Sequence, residues 1–126
     1  MKTKILFYIA FLAFIFGSCT KDIMEPKVTV ITPNASAKFS TDVYPVFSTY
    51  SCTTCHGTSG GLTLSGTPST VRTNLLVNAV IPSNSAASLL FIKFNGANNG
   101  THNGKTLTAT EVSNIKGWID SGALDN

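Results

Sequence analysis

The chain has 126 residues, enough for one small domain with a modest core. It is 43% hydrophobic and only 12% charged, and small polar residues (Ser, Thr, Asn, Gly) dominate after position 50. Nine basic residues face six acidic ones, and setting aside Lys2 and Lys4 of an N-terminal leader leaves seven against six; a balance that close to neutral excludes a nucleic-acid-binding face and a strongly basic docking surface.

Residues 1–18 read as an export signal. Lys2 and Lys4 form a positive start, and Ile5 to Phe16 is an unbroken apolar run, short for a bilayer span. Phe16-Gly17-Ser18-Cys19 then resembles the lipobox of bacterial lipoproteins, with Phe16 where Leu is usual. That resemblance implies cleavage before Cys19 and lipid on Cys19. An ordinary secretory signal and an uncleaved anchor helix are the other readings. Thr20 to Lys38 carries Pro26 and Pro33, several Thr and Ser and no helical period, which predicts a flexible tether with at most a short extended piece at Val28-Thr29-Val30. Asn34-Ala35-Ser36 fits a glycosylation acceptor pattern, of little weight in a bacterial lipoprotein.

The folded domain is expected over residues 39–126. Thr41 is the candidate N-cap of a first helix, Asp42 suits its first turn, and Pro45 is early enough to be tolerated. Val43, Val46, Phe47 and Tyr50 fall at i, i+3, i+4 and i+7, one apolar stripe.

This helix leads into Cys52-Thr53-Thr54-Cys55-His56, and C-x-x-C-H reads as a c-type haem attachment site. The two thiols, about one helical turn apart, add to the two vinyl groups of the macrocycle. The His follows at once and supplies the proximal iron ligand. A redox CxxC would expect a βαβ setting, and a zinc site a second ligand pair; neither accompanies the motif. A plain CxxC disulfide without haem is the remaining reading. With Cys52 and Cys55 on haem and Cys19 on lipid, no free thiol remains in an oxidising compartment.

Gly57 to Gly66 reads as a loop whose Leu62 and Leu64 cover the haem edge. Thr67-Pro68 predicts an N-cap with Pro at the first helical position, opening a short helix through Val71, Leu75 and Leu76. Ile81-Pro82-Ser83-Asn84 is a turn. Ser85 then caps a short helix, Ala86 to Phe94, although that apolar run also suits a buried strand. Asn95 to Lys105 is a Gly/Asn-rich loop with His102 near its middle. Thr108-Ala109-Thr110-Glu111 is a capping box, Val112, Ile115 and Ile119 give an apolar face with Trp118 beside it, and Gly122 suits a left-handed end. Trp118 reads as core, and Tyr44 and Tyr50 as parts of an amphipathic face that could also hydrogen-bond near the haem. There is no internal repeat.

Together these pieces resemble the small monohaem cytochrome c domains of bacterial lipoproteins and membrane-associated multidomain proteins. The resemblance covers most of residues 40–123: Val43 to Phe47, Cys52 to Gly57, Gly60 to Leu64, Pro82 with Ser88 to Leu90, and Ile115 to Ala123. It implies an all-α fold of four to five helices and long loops around one covalent haem c, with the first and last helices crossing. The distal ligand of such domains is commonly a Met before the last helix. This chain has no Met after Met24, and the loop there reads Gly100-Thr101-His102-Asn103-Gly104. His102 is therefore the expected distal ligand; an exposed loop His with water-ligated or five-coordinate iron is the alternative, and Met24 in the tether a third. Arg72, the one arginine, is expected either to pair with a haem propionate or to be a surface charge. The expected function is single-electron transfer, without catalysis, by a lipid-anchored protein facing the periplasm or exterior, with redox proteins of the envelope as partners, the membrane engaged through Cys19, and no nucleic acid. The alternative is a haem-based ligand-binding, sensor or peroxidase-like domain with an open distal face.

Overall fold

The structure is a computed structural model that describes residues 30–57, 61–95 and 101–126. The leader, Cys19, Met24 and most of the tether lie outside the described residues, as do Gly60, Gly96 and Gly100. The described chain is mostly helical, as the all-α class requires: four α-helices, short 3-10 and π turns, and one small hairpin.

The first helical stretch starts earlier than expected. Lys38 is extended, and its N–H donates to the Asp42 carboxylate at 2.7 Å. Asp42 therefore closes the turn and Thr41 is not the cap. A wide π turn, Phe39–Val43, runs directly into helix α1, Tyr44–Thr49. Pro45 lies in the first turn of α1, where its missing N–H has no partner to lose. Phe39, Val43, Val46 and Phe47 are buried as one stripe, while Tyr50 at the C-cap is half-buried.

Helix α2, Pro68–Asn78, opens as predicted, with the Thr67 hydroxyl accepting from Thr70 N–H at 3.3 Å, and it buries Val71 and Leu75. The next segment departs from the expected single helix. Asn84, not Ser85, caps a 3-10 turn, Ser85–Ala87, by accepting from Ala87 N–H at 3.1 Å. The chain is then extended at Ser88 before helix α3, Leu89–Ile92. The cause is tertiary. Ser88 is fully buried, and its hydroxyl accepts from Ile81 N–H at 2.9 Å and lies 2.8 Å from the Asn84 carbonyl. Its hydroxyl finds its partners in the backbone of the 81–84 turn, as a buried polar group must.

Strands β1, Thr101–His102, and β2, Lys105–Thr106, form an antiparallel hairpin in what was expected to be plain loop. Asn103 (φ 48°) and Gly104 (φ 72°) are both left-handed, as a two-residue hairpin turn demands. Helix α4, Ala109–Asp120, carries the complete capping box and buries Val112, Ile115, Gly117, Trp118 and Ile119. Gly122 (φ 100°) ends it, and Ala123 N–H returns to the Trp118 carbonyl at 2.9 Å.

Helix α4 is the spine of the core. Trp118 packs against Phe39 of the first helical stretch with ring centres 4.8 Å apart and planes inclined by 37°, and its indole N–H donates to Leu124 O at 2.8 Å. A strap, Thr32 to Ala37, crosses the other side. Asn34 N–H reaches Ser113 O at 3.1 Å, the Ser113 hydroxyl reaches Thr32 O at 2.6 Å, and the Asn34 and Asn114 side chains bond at 2.9 Å. Gly117 makes the crossing feasible, because any Cβ there would collide with the Asn34 backbone. Thr32 to Ala37, expected as part of a flexible tether, is thus docked on α4. Among the described residues no helix is long and apolar enough to cross a membrane.

Candidate functional site

Ser51 takes a left-handed conformation (φ 53°) after α1 and turns the chain into a single 3-10 turn, Cys52–Thr54. The N–H groups of Cys55 and His56 both donate to Cys52 O, at 3.3 and 2.9 Å. This turn sets the two thiols one turn apart and sends the imidazole out directly after them. Gly57 follows because a Cβ there would lie 2.9 Å from Thr53 O. The loop then folds back: Leu64 N–H donates to His56 O at 2.6 Å, and the Ser65 hydroxyl to Gly57 O at 2.9 Å. That return carries Leu62 and Leu64 to the cavity wall.

The hairpin brings the second imidazole. The His56 and His102 ring centres lie 6.0 Å apart with planes inclined by 28°. Phe94 meets His102 edge-on at 5.9 Å and restricts its ring. At the hairpin tip, the Asn103 amide donates to Cys55 Sγ at 3.9 Å, tying the second imidazole's strand to the cysteine turn.

Beside the two rings is a cavity of about 320 Å³, within the range of cofactor pockets. Its walls are apolar, from Phe47, Leu62, Leu64, Leu89, Leu90 and Phe94, and Cys52, His56 and His102 face it as well. A smaller cavity of about 40 Å³ adjoins it, bordered by Tyr50, Cys55 and Lys105 and sharing Cys52, His56, Phe94 and His102. Neither Cys52, partly buried, nor Cys55, exposed, is in a disulfide. Burial pushes the Cys52 thiol up from its ordinary value, against the opposing pull of nearby Lys105. His56 Nδ1 is buried with no hydrogen-bond partner. Leaving such an atom unpaired costs about 1–3 kcal/mol, a cost typical of functional sites.

These residues fit a haem. The 6.0 Å between the His56 and His102 ring centres leaves room for a metal ion bonded to a nitrogen of each at about 2.0–2.1 Å. Among the described residues no group of three or more His, Cys, Asp or Glu is placed to hold a bare metal ion. A macrocycle supplies its own equatorial nitrogens and asks the protein only for axial ligands.

Four of the six expected site residues, Cys52, Cys55, His56 and His102, are thus brought together. Cys19 lies outside the described residues. Arg72 is elsewhere: its Nε–H donates to Ala123 O at 2.6 Å, and it borders neither cavity. Tyr44 donates to Gly66 O at 2.6 Å and Tyr50 to the Glu111 carboxylate at 2.8 Å. Sequence reasoning missed Asn103, and it saw in Lys93 and Lys105 only substitutes for His102 on the iron rather than residues bordering a cavity. The dipeptide Asn103-Gly104 is a hairpin-turn signature that could have revealed the first; the lysines carry no local signal. Comparison with protein-family models, curated proteins and solved structures finds no match.

Proposed function

We propose that the chain is a lipid-anchored monohaem cytochrome c that passes single electrons in the bacterial cell envelope. The observation that carries this reading is the facing of His56 and His102 at 6.0 Å across an apolar cleft that also holds Cys52. Cys52 and Cys55 would hold the macrocycle through thioethers, and His56 and His102 would be its two iron ligands. The bound haem supplies one-electron exchange at iron. The residues around it do the rest. Phe47, Leu64, Leu90 and Phe94 keep water from the cleft. The hairpin and the Asn103–Cys55 contact hold His102 opposite His56, so the ligand set changes little between oxidation states. Two His ligands favour a lower potential than His and Met. The position of His102 supports a carrier over a ligand-binding, sensor or peroxidase-like site, which needs an open distal face. The packing of Phe39 on Trp118 supports the crossing of first and last helices that the cytochrome fold implies.

The lipobox-like junction at Cys19 places the domain on a bacterial membrane, facing the periplasm or exterior, with redox proteins of the envelope as partners. The test is expression in a host with haem-attachment machinery. A peroxidase-active haem band should survive denaturing electrophoresis, and Cys52→Ser with Cys55→Ser should abolish it. An exported wild type without the band overturns the reading. In the same host, labelled fatty acid should enter the wild type and not Cys19→Ala; equal labelling removes the lipid anchor.

A further inference from the structure

The loop that carries His102 contains the dipeptide Asn-Gly three times, at Asn95-Gly96, Asn99-Gly100 and Asn103-Gly104. Both residues of the last are described, and they form the exposed tip of the hairpin. Asparagine is chemically labile, because its short side chain reaches neighbouring backbone nitrogen. Glycine is the least obstructive residue to follow it, having no Cβ. The pairing of His102 with Lys105 leaves Asn103 and Gly104 outside the ladder, which therefore does not hold the Gly104 N–H. Asparagines elsewhere in the fold differ. Leu75 and Ile115, which follow Asn74 and Asn114, lie inside helices. Ala79 N–H, after Asn78, donates to Leu75 O at 2.8 Å, and Ser85 N–H, after Asn84, to the Asp120 carboxylate at 3.0 Å. Asn34 has its side-chain amide on Asn114 at 2.9 Å.

We propose that Asn103 is a self-modification site whose deamidation releases His102; only the consequence at iron rests on the haem reading above. The Gly104 nitrogen, losing its proton, bonds to the carbonyl carbon of the Asn103 side chain. The bond from that carbon to the amide nitrogen breaks, and the nitrogen takes up a proton and leaves as ammonia. Water then opens the cyclic imide at either carbonyl, which gives aspartate or isoaspartate. The hairpin has two residues in each strand, so little pairing opposes the excursion of its turn. The departing amide is the group that donates to Cys55 Sγ at 3.9 Å, and the carboxylate that replaces it has no proton to donate. Isoaspartate also adds a methylene to the main chain of a turn whose length fixes the register of His102 on Lys105. Both changes loosen the strand that presents His102.

The test is incubation of the haem-loaded protein at mildly alkaline pH, followed by peptide mass analysis, isoaspartate detection and the visible spectrum. Fragment ions should place an exchange of amide NH2 for OH at Asn103 before any at Asn34, Asn74, Asn78, Asn84 or Asn114. The converted fraction should be high-spin and bind CO, while the rest stays low-spin. Asn103→Gln, whose longer side chain closes the imide far more slowly, should keep its starting spectrum through the same incubation. Slower conversion at Asn103 than at those other asparagines overturns the modification. Conversion with an unchanged low-spin spectrum, or loss of low-spin bands in Asn103→Gln as fast as in the wild type, overturns its effect on His102 and leaves the haem reading intact. A protein that takes up no haem overturns that reading, and the fragment ions still decide whether Asn103 is modified.

Discussion

The two sides of the molecule differ in how completely protein atoms satisfy them. Around α4 almost every demand is met internally. The helix start has its capping box, Trp118 has both a ring partner and an acceptor, and the strap bonds three times to Ser113 and Asn114. Around the Cys52–His56 turn the demands are open among the described residues: two thiols without a disulfide, a buried Nδ1 without a partner, Lys93 and Lys105 without an ion-pair partner, and an apolar cavity. One side is a frame that stands on its own residues. The other leaves thiols, a buried nitrogen and an apolar cavity that the described protein atoms do not satisfy. Frame substitutions should therefore cost stability, and site substitutions should cost chemistry while sparing the fold.

The largest stability effect is expected at Trp118. It is 1% exposed, and Trp118→Ala removes the ring against which Phe39 packs. A loss of about 3–5 kcal/mol is expected, enough to leave a domain this small largely unfolded in a denaturant titration. Gly117→Val comes next, at about 1–3 kcal/mol, because its side chain must push the strap from α4. Trypsin should then cut after Lys38 much faster than in the wild type, while the visible spectrum stays unchanged.

Thr108→Ala is smaller, about 1 kcal/mol, from the lost N-cap. Its partner adds a pH signature. Partial burial alone would raise the Glu111 carboxyl, but hydrogen bonds from the Thr108 backbone N–H, the Tyr50 hydroxyl and the Thr108 hydroxyl outweigh it and hold the group below its usual value. A depressed carboxylate stabilises the fold above its unfolded pKa of about 4.3, and that contribution disappears as pH falls through the lower folded value. Glu111→Ala should therefore be less stable than the wild type near neutrality, with the gap narrowing on acidification. Equal acid sensitivity in both proteins would refute this role.

His102→Ala should do least to stability and most to the iron. Its imidazole is on a two-residue strand, outside the frame. The variant should unfold within about 0.5 kcal/mol of the wild type, the range of ordinary surface changes, yet turn a low-spin haem high-spin or water-ligated and open it to CO. His102→Met should restore a low-spin state at higher potential.

The same division governs what the sequence alone disclosed. The α4 capping box, the Thr67-Pro68 start of α2 and the CxxCH turn were legible because each signal is local and each residue acts on its neighbours. The break at Ser88 was not, since it depends on a hydroxyl buried against a turn seven residues earlier. The docked strap was not, because it depends on the missing Cβ of Gly117, some eighty residues away. Arg72, which the sequence left open between a propionate partner and a surface charge, has its Nε–H on the Ala123 carbonyl, and nothing near it in the chain indicates that contact. His102 was singled out because the chain has only two histidines and no Met after Met24, whereas its hairpin was missed, the strands being too short to show alternation.

The most direct test of the central claim is the absorption spectrum of the purified protein in both oxidation states, with and without CO. If His56 and His102 together close both axial positions of a haem fixed at Cys52 and Cys55, the bands are low-spin in ferric and ferrous protein and CO leaves them unchanged. High-spin bands that shift on adding CO would show an open distal face and contradict the account.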